Sequence, residues 1–367
     1  MKAIIITTSI GSFGRKGFYN LQEVGLAKAL DKYFDQVDIF KAVDKNAEEW
    51  TEKIEGTNNA VLHLIPSKHF GNNGFIDLKV LPTDINVVIN CADTQFFTPK
   101  VYQWAKKYNI IYLPYIGVTE SHSGNPAVRL LTNMMFMRNL SVYKKVHCLV
   151  KTPAVEEDLH KKGVNHISVT PVSLDISLMK SDYAQYDKIE LRAKYHLNSN
   201  NKVLLFIGRL IEQKQPLKML EIFQQLLQKD DQYRLIMVGT GEQKEAVEKK
   251  IVNLKLKDHV RLIEKIPNTD IWELYRISDC FVNLNKQEIF GMAIMEAMYY
   301  NCKVVALNAP GPCLIIENGK SGFLAESIEE IEKLISCELP DSSVPNERVK
   351  EHFSWNNMAL EIVRLIS

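Results

Sequence analysis

Short apolar, β-branched runs alternate with helix-length amphipathic segments along most of the chain, and this alternation restricts the fold more than any other feature. The runs fall at residues 3–8, 36–40, 60–65, 86–90, 110–115, 146–150 and 166–170, and again at 203–207, 234–238, 260–263, 280–284 and 303–307. A strand that is apolar throughout is buried on both faces, and strands separated by helix-length segments pair in parallel. Residues 21–33, 217–229 and 242–254 carry apolar side chains at helical spacing. The stretch 173–201 is polar, includes SDYAQYDK and NSNN, and interrupts the two series. It is predicted to be an inter-domain connection with a short helix near 189–195. The pattern thus predicts an α/β chain of two doubly wound parallel-sheet domains, 1–172 and 202–367, with ligands bound beyond the carboxyl ends of strands and in the cleft between domains.

The 367 residues suffice for two cores. A hydrophobic fraction of 46% with 24% charged residues excludes a disordered or fibrous chain, and a net charge of +1 gives no global reason to expect nucleic acid as a partner. None of the six cysteines forms a C-x-x-C pair, so neither a zinc site nor a redox motif is suggested, and a reducing cytoplasm is expected. The opening MKAIIITTSIGSFG is read as a first strand, not a leader, and no run of 18 apolar residues predicts a membrane span.

Three features lie at strand ends in the second half. The run 203–207 ends in Gly208-Arg209, with Lys214 five residues on. Arginine grips phosphate oxygens with a planar fork and lysine with a compact charge. Charged surface loops have the same composition. The run 234–238 ends in Gly239-Thr240-Gly241, which suits a nucleotide base or ribose and equally an ordinary tight turn. The third is EIFGMAIMEAM, with Glu288 and Glu296 at either side of an apolar segment. A helix starting near 291–293 offers the N–H groups of Met292 and Ala293 to an anion. The acids then either accept hydroxyls of a polyhydroxylated ligand that covers them, or sit exposed at the ends of a packed helix.

Taken together, Gly-Arg-x4-Lys, Gly-x-Gly and Glu-x7-Glu in this order resemble the retaining nucleotide-sugar glycosyltransferases of the GT-B fold, glycosyltransferase family 4 (glycosyl transferases group 1). The resemblance covers 201–325, including PGPCLIIENGKSGFL, and extends more weakly to IGSFGRKGFYNLQEVGLAKAL near the N-terminus. It implies two Rossmann-like domains, with room for the last helix to pack back on the first. It also implies that Arg209 and Lys214 bind the donor pyrophosphate, and that Glu288 contacts donor-sugar hydroxyls. Gly208, Gly291, Met292 and Ala293 would approach sugar and phosphate, and Glu296 would bind the ribose. Thr240, Gly241, Lys265 and Ile266 would line the base, and Gly17 would approach the phosphates from the first domain. The chain departs from the family at Phe18, where a second glycine is common, and at Cys313-Leu314, where a glutamate is common. The strand at 110–115 ends without the family's histidine; the nearest, His122, is either an acceptor-side group or a loop histidine.

The function implied is transfer of a sugar from a nucleoside-diphosphate donor, a UDP-sugar above all, to a glycan or lipid-linked acceptor in cell-surface polysaccharide or glycoconjugate assembly. No cofactor is implied, and no metal either, since no Asp-x-Asp ends a strand and two cations can serve instead. The segment 126–145, PAVRLLTNMMFMRNLSVYKK, is either a core helix or an amphipathic helix on the inner face of a membrane. Alternatives are a non-catalytic subunit stabilising a partner enzyme, or a sugar epimerase or phosphorylase on the same fold.

Overall fold

The computed structural model describes residues 1–10, 22–120 and 125–367. They divide into two compact units, one of Met1–Asp175 with Ser354–Ser367 and the other of Ile176–Phe353.

The first unit is built on β1 (Lys2–Thr7), β2 (Gln36–Asp44), β3 (Trp50–Lys53), β4 (Ala60–Phe70), β5 (Asn73–Phe75), β6 (Val87–Cys91), β7 (Ile111–Ile116), β8 (Cys148–Val150) and β9 (Ile167–Val169). The order is β3-β4-β2-β1-β6-β7-β8-β9, with β5 on the end of β4. The pairings of β3 and β5 with β4 are antiparallel. The central strands are apolar on both faces because helices cover both, and Ile4, Ile5 and Ile6 are completely buried. Chain order reverses between β1 and β6.

The second unit has six parallel strands, β10 (Lys202–Ile207), β11 (Tyr233–Val238), β12 (Val260–Ile263), β13 (Cys280–Asn283), β14 (Lys303–Leu307) and β15 (Phe323–Ala325). Their order is β12-β11-β10-β13-β14-β15. This is the doubly wound Rossmann order, reversing between β10 and β13, and a crevice opens at such a switch point beyond the carboxyl ends. Helix Pro216–Lys229 starts on proline, whose missing N–H goes unneeded in the first turn. It buries Met219, Leu220, Ile222, Phe223 and Leu226 in the core beside β10 and β11.

One expectation of organisation changes. Residues 173–201 are packed structure, and all but their first three belong to the second unit. Helix Lys188–Lys194 buries Arg192, whose Nε and Nη2 donate to the Ile277 carbonyl at 3.1 and 3.0 Å. Nη2 also meets Asp279 Oδ2 at 2.6 Å. Burial opposes the charge on Asp279, yet Lys188 and Arg192 hold its carboxyl below the usual range. Polar composition misled here because the polar groups satisfy one another. Helix Trp355–Ile366 is grouped with the first unit, the placement for which the resemblance leaves room. A Cβ on Gly25 would lie 2.3 Å from Trp355 Nε1, so only glycine admits this indole against helix Gln22–Leu30.

Candidate functional site

Two loops meet at the switch point of the second sheet. The loop after β10 carries Gly208, Arg209 and, in a short 3-10 turn at Glu212–Lys214, the lysine. The loop after β13 carries Asn285, Glu288 and Gly291. Lys214 Nζ lies 2.5 Å from Glu288 Oε2, with the two side chains 24% and 14% exposed. The same oxygen accepts from the amides of Asn285 at 3.1 Å and Asn283 at 3.3 Å. Gln215 stands in the left-handed region at φ 56° and donates to the Leu284 carbonyl at 2.5 Å. Gln213 donates to Gln287 at 2.8 Å. The structure brings Lys214 and Glu288 into contact, and with them Asn283, Asn285 and Gln215, which the sequence reading does not single out. The asparagines were legible as polar residues closing an otherwise apolar strand; nothing local marks Gln215.

Arg209 is exposed, and among the described residues its guanidinium has no hydrogen-bond or ion-pair partner. A cation held in the open on the loop that also carries Lys214 is available to an anionic ligand.

The Gly-x-Gly turn is needed by the protein itself. Leu210 N–H donates to the Thr240 carbonyl at 2.9 Å, and Gln243 N–H to the Leu210 carbonyl at 2.9 Å. Gly239 has φ 149°, and a Cβ there would lie 1.9 Å from the Gly208 carbonyl oxygen. The glycines therefore admit the β10 loop, while Thr240 and Gly241 stay exposed at its rim. Gly239 N–H also donates to the Ile263 carbonyl at 2.9 Å, which sets the turn beside the end of β12. Lys265 and Ile266 follow that strand at the same edge, exposed and half-buried respectively.

Helix Met292–Tyr299 begins where the sequence predicts, with Gly291 as N-cap at φ 103° and no side chain capping it. The first N–H groups of a helix lack intrahelical acceptors, so those of Met292 and Ala293 form an anion-binding end. Gly311 N–H donates to the Glu288 carbonyl at 2.8 Å, and a Cβ on Gly311 would meet the Phe290 oxygen at 2.1 Å. This close approach fixes the Glu288 loop from the side of the PGPC segment. Cys313, exposed, donates to Asn308 where the family pattern has a glutamate.

Glu296 departs from expectation. It is 4% exposed and accepts from the Tyr275 hydroxyl at 2.8 Å, so the protein covers this acid and supplies a donor. A carboxylate one turn into an apolar helix needs a partner, and Tyr275 on helix Ile271–Ile277 provides it. Gly17 and His122 lie outside the described residues. An open depression of about 370 Å³ at the amino ends of the second sheet is lined by Lys188, Lys202, Asp279, Lys303 and Glu338. Lys188 and Lys202 there are already paired with Asp279 and Asp230.

Residues 187–350 match the family model described as Glycosyl transferases group 1. Along almost its whole length the chain resembles an uncharacterized glycosyltransferase of Methanocaldococcus jannaschii, at 23% identity over 93% of this chain and 92% of the relative. A 28% identical stretch aligns with the capsular polysaccharide biosynthesis glycosyltransferase CapM of Staphylococcus aureus, covering 46% of this chain and 47% of that one, about half of each. The crystal structure of HepE from Anabaena, in complex with UDP and glucose, shares the fold with a TM-score of 0.68 at 16% identity, over 99% of this chain and 98% of that one. The shared architecture shows the GT-B fold, and the family match lies in residues 187–350.

Proposed function

We propose that the protein is a retaining, metal-independent glycosyltransferase of family 4. It moves a sugar from a UDP-sugar to a glycan or lipid-linked acceptor in cell-surface polysaccharide or glycoconjugate assembly. The observation that carries the reading is the Lys214–Glu288 pair at the switch point with Arg209 open on the loop that also carries Lys214. UDP and glucose in the HepE complex support the donor class, and the name of CapM supports the pathway class.

In this reading Arg209, Lys214 and the helix end at Met292 and Ala293 bind the donor diphosphate. Glu288, held by two asparagine amides, accepts hydroxyls of the donor sugar. Thr240, Gly241, Lys265 and Ile266 line the base. The bond between the anomeric carbon and the phosphate oxygen breaks as the acceptor oxygen attacks the same face. The acceptor's proton passes to the leaving diphosphate. Negative charge grows on the diphosphate, and preorganised cations stabilise it there without a metal.

No helix of the described residues is long and apolar enough to cross a membrane. Helix Pro126–Tyr143 packs its C-terminal half through Phe136, Leu140, Val142 and Tyr143. It exposes Val128, Leu130, Leu131, Met134 and Met137 beside Arg129 and Arg138. That face supports peripheral contact with an anionic membrane on the cytoplasmic side.

A thermal-shift panel of UDP, GDP, ADP and TDP and their sugar conjugates, with and without EDTA, tests the donor site. A ligand that binds only the folded chain raises the melting temperature. A UDP-specific shift that EDTA leaves intact is expected. Silence from every nucleotide would overturn the reading in favour of a partner-stabilising subunit.

A further inference from the structure

The backbone of the loop that carries Glu288 is held from two sides, and one arginine reaches both. Helix Val344–His352 sets Arg348, 23% exposed, against the end of helix Pro310–Ile315. Its Nε donates to the Ile315 carbonyl at 2.6 Å and its Nη2 to the Leu314 carbonyl at 3.2 Å. Carbonyls in the last turn of a helix have no intrahelical donor, and a cation there also meets the negative end of the helix dipole. A helix of six residues has little stability of its own, so its place depends on such contacts. Nη1 faces Glu317 Oε2 at 3.8 Å, longer than a hydrogen bond. The guanidinium carbon lies 5.9 Å from the ring centroid of Phe353. The donors of Arg348 are thus turned to the protein, whereas the guanidinium of Arg209 has no partner among the described residues.

Both contacts lead to Glu288. Gly311, in the first turn of helix Pro310–Ile315, donates its N–H to the Glu288 carbonyl, and its missing side chain lets the Phe290 backbone lie against the helix. The two backbones touch, with no flexible side chain between them to absorb a shift. On the other side, Phe353 is 2% exposed and meets the buried Phe290 edge-on, at 6.4 Å between ring centroids and 68° between planes. Helix Val344–His352 is itself fastened to helix Met292–Tyr299, which continues the Glu288 loop. Asn346 is buried and donates to the Tyr299 carbonyl, and Lys350 Nζ stands 5.5 Å from the Tyr299 ring centroid. The base from which Arg348 reaches is therefore fixed. Lys214, Asn283 and Asn285 hold the carboxylate of Glu288, and the contacts of Arg348 hold its backbone.

We propose that Arg348 is a positioning residue for Glu288. It acts through helix Pro310–Ile315 on one side and through Phe353 and Phe290 on the other, and it does not touch the substrate. Its part in sugar transfer rests on the glycosyltransferase reading; its hold on the loop does not.

Two variants of the full chain test this. Arg348→Met keeps the stem of the side chain and removes the charge and the donors, and Arg348→Lys keeps the charge. Hydrogen–deuterium exchange read by mass spectrometry should be about tenfold faster or more at residues 287–292 and 311–316 in Arg348→Met, intermediate in Arg348→Lys, and unchanged in β10 to β14. UDP release from the UDP-sugar that gives the largest melting shift should fall about tenfold or more in kcat, because a small misplacement of a positioning group costs rate on that scale. Arg348→Lys should regain part of it. The melting shift with UDP alone should stay as in the wild type, since Arg209 and Lys214 keep their places. Unchanged exchange at 287–292 overturns the proposal, as does a kcat within twofold of the wild type. Faster exchange spread over the whole second unit also overturns it, by making Arg348 a general support of the fold. If Arg348→Met does not fold, the same outcomes are read in Arg348→Lys. A wild type that releases UDP from no UDP-sugar removes the glycosyltransferase reading, and the exchange comparison then decides the hold on the loop by itself.

Discussion

Replacing Lys214 by methionine keeps the stem of the side chain and deletes the charge facing Glu288. The effect on folding is small by the geometry. The pair is partly exposed, at 24% and 14%, and solvent screening brings such pairs to about 0–1 kcal/mol. Glu288 retains both asparagine donors, at 3.1 and 3.3 Å. For a unit of this size the melting temperature should fall by roughly 4 °C or less. The effect on turnover is different in scale. A preorganised group aimed at charge that develops in the transition state is worth about 2.7–4 kcal/mol, or roughly 10²–10³ in kcat. UDP release at saturating UDP-sugar, measured beside a thermal melt, separates the two. The expected result is a loss of two to three orders of magnitude with the melt nearly unmoved. A rate within threefold of wild type would refute the pyrophosphate role, and a collapse of the melt would show that the pair holds the loops together instead.

Arg209→Ala should lose turnover to a similar degree with stability changed by less than about 0.5 kcal/mol, since the side chain is exposed; normal turnover would exclude it from the donor site. Gly239→Ala must place a Cβ 1.9 Å from the Gly208 oxygen. It should destabilise the second unit by at least about 2 kcal/mol, and a wild-type melt would show that the two loops part without penalty. Glu23 titrates below its ordinary value of 4.5, because Lys41 and hydrogen bonds from the backbone and Thr7 outweigh the opposing effect of burial. The stabilisation it brings is present above that value and is lost as pH falls through the lower, folded-state pKa. Melting of the wild type should therefore drop below about pH 4.5, and Glu23→Gln should flatten that part of the profile. An unchanged slope in the variant would show that other carboxylates set it.

The sheets were legible because their signal is strong. Residues 260–263 and 303–307 are the very bounds of β12 and β14, and the other ten predicted strands shift only at their ends. Unbroken apolar runs between amphipathic segments admit few other structures. β3, β5 and β15 escaped for the opposite reason. β3 is exposed at all four residues, and β5 and β15, three residues each, adjoin or contain a glycine among polar residues that break any apolar run. At the site, Arg209, Lys214 and Glu288 could be picked out by residue type and spacing. What surrounds them could not, because Asn283, Asn285, Gln215 and Tyr275 are selected by distances that only the folded chain sets. Glu296 shows the limit most clearly. Its partner Tyr275 lies 21 residues earlier, on another helix, and no local pattern reveals that the protein itself covers this acid. Helix Trp355–Ile366 is a similar case, since the glycine that receives its tryptophan stands at position 25.

That helix bears on how the chain is made. The first unit joins two separate segments, Met1–Asp175 and Ser354–Ser367, whereas the second is one uninterrupted segment, Ile176–Phe353. During synthesis the second unit is complete before the first has its final helix. At about 5–20 residues per second, the sheet of the first unit waits roughly ten to forty seconds for Trp355 to reach Gly25. Over that interval the face of helix Gln22–Leu30 at Gly25 is without the indole that packs on it in the folded chain.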